Sequence, residues 1–169
     1  MVRVAGWPDQ EFDAFVASRL PALVRFSYSL TGDLGHAEDL VQTALVKTYL
    51  ATRRRMPDAP EAYVRRAIVT ANLSRFRRRR VVEDLVDLLP EKPAAAHERP
   101  SEQREALSLL LAELSPRQRT VMVLRYQEDW PESEIAVAMG VSSGTVKTLA
   151  SRALTKLRAT APTAERTGA

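Results

Sequence analysis

A helix-turn-helix pattern in the last third of the chain most constrains its fold. The segment from Pro131 to Arg158 reads PESEIAVAMGVSSGTVKTLASRALTKLR and contains two short helical patterns joined at Gly140. Gly140 suits a left-handed residue that ends the first helix, and the Ser142 hydroxyl can cap the second. Two helices that cross steeply must also bury apolar side chains between them. The spacing supplies these at Ile135, Ala136, Met139, Val141, Val146 and Leu149.

The second helix of this pattern has the chemistry of a DNA-binding surface. No acid lies between Gly140 and Arg158, and short hydroxyl side chains stand among the cations. Such a helix can enter the major groove, with long cations on phosphates and hydroxyls near base edges. A helical hairpin with a solvated basic face is the alternative, but the full spacing and one-sided charge favour DNA binding. The polar residues of this face include Ser143, Thr145, Lys147, Thr148, Ser151 and Arg152.

The rest of the chain also has helical periodicity, which predicts an all-α fold. Apolar residues recur at helical spacing from Phe12 to Leu30, and Pro21 is expected to kink or divide that run. A second helix is predicted from about His36 to Arg53. A third follows Pro60, whose fixed φ suits a first helical turn, and continues toward Arg80. Three such helices can form one small core.

A poor helix former separates this block from a second helical block. Three prolines between Pro90 and Pro100 oppose a continuous helix and predict a tether. The second block begins near Ser101, has a stripe of leucines from Leu107 to Leu114, and restarts at Ser115-Pro116, a cap followed by a first-turn proline. The sequence therefore predicts a domain over 8–82, a linker over 83–100, a second domain over 101–160 and a frayed tail over 161–169.

Composition excludes several classes of site. The 169 residues include no cysteine, which removes disulfides, thiolate nucleophiles and cysteine-based zinc sites. His36 and His97 lie far apart without a ligand pattern, so neither a metal nor another cofactor is expected. No uncharged stretch approaches the roughly 20 residues that span a bilayer, so we expect no membrane insertion and a cytoplasmic location. The net charge of +4 suits a polyanionic partner, but an excess of this size can also serve solubility alone.

The third helix carries the other concentration of charge. Between Ala59 and Arg80 there are seven arginines and a single acid, Glu61. A charge run of this kind is usually a solvated helix face or a flexible end. Here Tyr63 and Phe76 lie among the arginines, and aromatic rings can receive unstacked bases while cations hold the backbone of a single strand. Two basic surfaces on two tethered domains therefore indicate contact with DNA at two points.

The order of these motifs resembles a known family. GDLGHAEDLVQTALVKTY is followed by PEAYVRRAIVTANLSRFRRRR, a linker, and LSPRQRTVMVLRYQEDWPESEIAVAMGVSSGTVKTLASRALTKLR. From about Phe12 to Arg158 the chain is similar to bacterial RNA polymerase sigma factors of the extracytoplasmic-function type. AEDLVQ and GTVK, in this order and separation, indicate the family far more specifically than either motif alone.

The resemblance implies partners as well as roles. It implies that core RNA polymerase binds the chain through the clamp helices of its largest subunit and the flap of its second subunit. The clamp-helix contacts would be Glu38, Asp39, Leu40 and Gln42, although the residues alone mark Glu38 and Asp39 only as first-turn acids that the helix dipole favours. Whether an anti-sigma factor binds the chain stays open.

Promoter DNA is the second partner that the resemblance implies. The minus-10 element would contact Tyr63, Arg66, Thr70, Ser74, Arg75, Arg77 and Arg78. The minus-35 element would contact Ser143, Thr145, Lys147, Thr148, Ser151 and Arg152. Thr70 and Ser74 stand where relatives often have Asn and Asp, which leaves the identity of the minus-10 bases open.

Three other classes of protein remain as alternatives. An autonomous dimeric helix-turn-helix regulator would use two recognition helices on two half-sites, but it would not need a second basic helix. An enzyme acting on nucleic acid would need a carboxylate cluster or an activated nucleophile, whereas the acids here are scattered. An anti-sigma antagonist would not need two DNA-contacting surfaces. The sequence therefore favours a non-enzymatic sigma factor that directs polymerase to promoters.

Overall fold

The computed structural model describes residues 6–53, 56–83 and 102–160, with side chains described over 6–53, 56–75, 102–103 and 105–160. All regular elements in these ranges are helices, which confirms the all-α fold. The chain divides into two compact units, Met1–Ala95 and Ala96–Ala169. The predicted linker, apart from its first residue, and the predicted tail lie outside the described residues. Among the described helices, none has both the length and the hydropathy that a bilayer crossing requires.

Three helices form the first unit. They are α1 (Asp9–Thr31), α2 (Leu34–Thr52) and α3 (Pro60–Glu83), and each packs against the other two. Their shared core contains the fully buried side chains of Leu23, Phe26, Leu30, Val41, Val64 and Ile68. This arrangement leaves one face of α2 and one face of α3 exposed.

Helix α1 runs through Pro21 without dividing. A proline inside a helix removes one backbone hydrogen bond and crowds the carbonyl four residues earlier. Pro21 and Ala17 both lie on the exposed side of α1, where water can satisfy the carbonyl that loses its partner. The sequence left open whether Pro21 kinks or divides this run, and the structure shows that it does not divide the helix.

The junction between α1 and α2 is a compact reversal built from two caps. Gly32 has φ 67° and ends α1, with its N–H donating to the Tyr28 carbonyl at 2.8 Å. The Asp33 carboxylate then accepts the His36 N–H at 2.7 Å and caps α2. These caps set where α2 begins, and thereby which of its residues face outward.

An aromatic cluster ties the residues before α1 to the end of α2. The ring centroid of Trp7 lies 5.0 Å from those of Phe12 and Phe15, and the backbone N–H of Trp7 donates to the Thr52 carbonyl at 3.2 Å. The Tyr49 hydroxyl donates to the Asp9 carboxylate at 2.8 Å, and this hydrogen bond raises the pKa of Tyr49. The cluster extends the core beyond the three helices.

Over residues 102–160, the second unit forms four α-helices and one π-helical turn. They are α4 (Glu102–Ala112), α5 (Pro116–Met122), the π-helical turn Val123–Gln127, α6 (Glu132–Met139) and α7 (Ser143–Thr160). Ser115 and Gln118 form a reciprocal capping box at the start of α5, as the Ser-Pro pair predicted. The Arg119 guanidinium donates to the Leu111 carbonyl at 2.9 Å and so joins the end of α4 to α5.

Helices α6 and α7 form the helix-turn-helix. Gly140 has φ 64°, and the next N–H, that of Val141, donates to the Ala136 carbonyl at 3.0 Å. Ile135 and Val146 are fully buried, and Ala136 is 5% exposed where a larger side chain would crowd the core. The Ser142 hydroxyl accepts the Thr145 N–H at 3.1 Å, which is the cap that the sequence predicted.

Candidate polymerase and nucleic-acid interfaces

The outward face of α2 presents most of the residues expected to contact polymerase. Glu38, Asp39 and Gln42 are exposed, whereas Leu40 is 7% exposed and belongs to the core. Helical periodicity explains the difference, because Leu40 shares the inward face with Ala37, Val41 and other buried residues of α2. The surface on which a partner could dock therefore begins with two acids and an amide.

The same face continues into apolar side chains. Val46 is 59% exposed and Leu50 is 60% exposed, and together with Gln42 they recur at intervals of four residues. Residues at this spacing lie one above the other on a helix. Val46 and Leu50 are not among the contacts predicted from the sequence, although their position on the helix face opposite the buried residues of α2 could have indicated them. Large exposed aliphatic side chains next to a polar surface are typical of protein docking sites. We call Glu38, Asp39, Gln42, Val46 and Leu50 the α2 face.

Helix α3 brings several of the expected minus-10 residues into one row. Arg66 and Thr70 are exposed and Ser74 is half-buried; they follow one another at intervals of four residues. Tyr63, one turn earlier, is 40% exposed. The Thr70 hydroxyl donates to the Arg66 carbonyl at 2.9 Å, and the Ser74 hydroxyl donates to the Thr70 carbonyl at 2.8 Å. Both hydroxyl oxygens keep acceptor capacity for a ligand.

The remaining arginines of α3 differ in their surroundings. Arg75 is half-buried, and its guanidinium lies 2.6 Å from Nε2 of His36 on α2. Arg65 faces inward: its guanidinium lies 4.8 Å from the centre of the Phe26 ring and is paired with Glu61 at 3.1 Å. The side chains of Arg77 and Arg78 lie outside the described residues. Among the arginines of α3 whose side chains are described, Arg65 therefore packs inward, Arg75 approaches α2 and Arg66 is exposed.

Helix α7 presents all of its expected DNA-contacting residues outside the core. The buried face of α7 is formed by Val146, Ala150 and Ala153, at helical spacing. The other arc of the helix carries side chains that are exposed, except for the half-buried Thr145: Ser143, Thr145, Lys147, Thr148, Ser151 and Arg152. This arc has small hydroxyls between two long cations, which is the chemistry suited to base edges flanked by phosphates.

Both units match models of known protein families. Residues 15–81 match "Sigma-70 region 2", and residues 104–157 match "Sigma-70, region 4". The chain is 38% identical over 152 residues to the RNA polymerase sigma-E factor of Streptomyces coelicolor, covering 88% of this chain and 84% of that protein. It is 29% identical over 169 residues to the ECF RNA polymerase sigma factor SigL of Mycobacterium tuberculosis, covering 95% of this chain and 96% of that protein.

A solved structure agrees with these sequence relatives. The sigma factor RpoE from Bartonella quintana, crystallised in complex with the anti-sigma factor NepR, superimposes with a TM-score of 0.59 and 27% identity. The match covers 89% of this chain and 96% of that one.

The two units and their exposed helices define a promoter-directing transcription initiation factor. The chain belongs to the sigma-70 family, and its relatives identify it as a sigma factor of the extracytoplasmic-function type. The resemblance stated from the AEDLVQ and GTVK motifs is thereby confirmed.

Proposed function

We propose that the first unit binds core RNA polymerase through the α2 face. The exposure of Glu38, Asp39 and Gln42 on one side of a helix whose other side is buried supports this assignment. Val46 and Leu50 extend the surface with apolar area that a partner would remove from water. The clamp helices of the largest subunit are the proposed partner, since this sequence matches region 2 of the family.

Helix α3 would recognise and open the minus-10 element. The row formed by Arg66, Thr70 and Ser74, with Tyr63 one turn earlier, supports this role. An unstacked base can rest on the Tyr63 ring while Arg66 binds the backbone and the two hydroxyls accept hydrogen bonds from base edges. Stacking and charge would hold the separated strand open without any covalent step.

Helix α7 would bind the minus-35 element in the major groove. Its exposed arc, which includes Lys147, Thr148 and Arg152 opposite the buried Val146, is the single observation that best supports sequence-specific binding. The second unit would also meet the flap of the second polymerase subunit. An anti-sigma factor that covers either surface would silence the chain, and the complex formed by the Bartonella relative supports this possibility.

The proposed mechanism is recruitment, and we infer that the chain itself is not an enzyme. Polymerase supplies the chemistry, whereas this chain supplies positioning at two DNA elements. Run-off transcription with core polymerase on a pool of genomic promoters tests the proposal directly. Transcripts that require the added chain are expected. If no transcript depends on the chain, or if the free chain binds palindromic duplex tightly as a dimer, the proposal is wrong.

A further inference from the structure

A carboxylate lies beside one of the cations proposed to bind DNA. Oε1 of Glu132 lies 2.6 Å from Nη1 of Arg125, and Oε2 lies 3.8 Å from Nζ of Lys147. Arg125 belongs to the π-helical turn, Glu132 is the first residue of α6, and Lys147 lies on α7. One side chain therefore connects three elements at the edge of the helix-turn-helix.

The two ion pairs differ in how easily they can separate. The side chains of Arg125 and Glu132 are 34% and 23% exposed, and the Arg125 guanidinium also lies 5.4 Å from the centre of the Tyr126 ring. The Lys147 side chain is 69% exposed. Glu132 is further held by its position in the first turn of α6, where the helix dipole favours a carboxylate. Lys147 is thus the partner that can leave.

A phosphate approaching Lys147 would compete with Glu132. The Glu132 carboxylate offsets part of the Lys147 charge and also repels the phosphate. Contact between Lys147 and the DNA backbone is therefore weakened, whatever the base sequence. We propose that Glu132 restrains sequence-independent binding to duplex DNA by holding Lys147. The loss applies equally to specific and non-specific duplex, so base contacts contribute a larger share of the affinity that remains. This inference rests on the proposed function of α7.

The first test compares Glu132→Gln with the unmodified full chain. Binding to a short mixed-sequence duplex is measured by fluorescence anisotropy over a series of salt concentrations. Since exposed ion pairs contribute modestly, we expect Glu132→Gln to tighten binding about two- to fivefold. The plot of log affinity against log salt should steepen by up to about 0.9, because Lys147 then neutralises a phosphate more completely.

Glu113→Gln is the matched control for net charge. Glu113 is exposed in the same unit, and it takes part in none of the ion pairs found between described residues. The same charge change at Glu113 should tighten binding less than Glu132→Gln does. Equal effects of the two substitutions would overturn the proposal, since net charge alone would then explain them. Weaker binding by Glu132→Gln, with an unchanged helical circular dichroism spectrum, would also overturn it, because Glu132 would then support DNA binding.

A double-mutant cycle with Lys147→Gln separates this inference from the function on which it rests. Lys147→Gln should weaken duplex binding, and in that background Glu132→Gln should tighten binding no more than Glu113→Gln does. If Lys147→Gln weakens binding but Glu132→Gln tightens it equally with and without Lys147, the inference alone fails. If Lys147→Gln leaves duplex binding unchanged, the proposed role of α7 fails and the inference fails with it.

Discussion

Gly140 ends α6 in a conformation that residues with a Cβ rarely adopt. A Cβ built at this position would meet no atom within 4 Å, so steric overlap with neighbours contributes nothing to the requirement for glycine. The positive φ of 64° alone makes a substitution unfavourable. Gly140→Ala should therefore destabilise the second unit by about 1–2 kcal/mol.

Urea unfolding followed by tryptophan fluorescence measures this loss of stability. A Trp7→Phe background leaves Trp130 as the single tryptophan, so the signal reports on the second unit. Gly144→Ala is the control, because Gly144 lies in α7 without a positive φ and a Cβ there would make only an ordinary contact, 3.7 Å from the Ser142 hydroxyl. Alanine is the better helix former, so Gly144→Ala should leave stability unchanged or raise it by about 0.5–1 kcal/mol. Equal destabilisation by the two substitutions would contradict the conformational explanation.

Substitutions of Tyr63 test the proposal that its ring binds an unstacked base. Its ring is 40% exposed on α3. Tyr63→Ala removes the ring and should lower open-complex formation at least fivefold, because stacking on one base contributes about 1–3 kcal/mol. Tyr63→Phe keeps the ring and should retain most activity. Permanganate reactivity of unpaired thymines measures the open complex; equal defects in both variants would implicate the hydroxyl instead of stacking.

At the scale of single helices, the sequence was most informative where structure depends on near neighbours. The caps at Ser115 and Ser142 and the left-handed Gly140 were predictable, because each depends on residues within a turn or two of the chain. The buried residues of α2 recur at helical spacing, a pattern that is likewise visible in the sequence. Leu40 shows that a family motif does not by itself indicate which of its residues are exposed. It lies in the motif expected to bind polymerase, but helical periodicity places its side chain in the core.

Contacts between distant helices were not predictable from one sequence. Arg65 is one of the arginines of α3, yet its guanidinium packs against the Phe26 ring, because the position of α1 places that ring beside it. The approach of Arg75 to His36 likewise joins residues that are 39 positions apart. Sequence patterns indicate which face of a helix is polar, whereas tertiary packing determines which charged side chains on that face contact another helix.

The apolar half of the α2 face gives a prediction at the scale of a helix. Replacing Val46 and Leu50 with serine should lower affinity for core polymerase at least fivefold, because truncation of central interface residues commonly costs more than about 1 kcal/mol. Competition between the variant and the unmodified chain for core polymerase measures the loss. Leu20→Ser is the control: Leu20 is 40% exposed on α1, outside the α2 face, and should have little effect on binding. Equal losses would indicate that exposed apolar area binds without specificity.

At the scale of the whole chain, the proposed function divides promoter recognition between the two units. The chain spans most of the length of its Streptomyces coelicolor relative, so both regions can be considered as parts of one factor. Each DNA contact alone is expected to be weak. Covalent connection of the units makes the second contact intramolecular, which raises its effective concentration and the combined affinity without any new interaction. Loss of either surface should then impair transcription for a different reason.

Paired substitutions can separate those reasons. Lys147→Ala combined with Arg152→Ala should weaken binding to the upstream element about tenfold or more, since direct base and phosphate contacts of this kind contribute about 1–3 kcal/mol. Affinity for core polymerase should be unchanged, because both side chains lie on the exposed arc of α7.

Asp39→Ala combined with Gln42→Ala should do the reverse: core polymerase binding falls, while binding of the free chain to duplex DNA stays the same or tightens with the loss of an acid. Anisotropy with duplex and competition for core polymerase measure the two affinities for both variants. If either variant lost both affinities while keeping its helical content, the two surfaces would be coupled, and the independent division of work between α2 and α7 would be wrong.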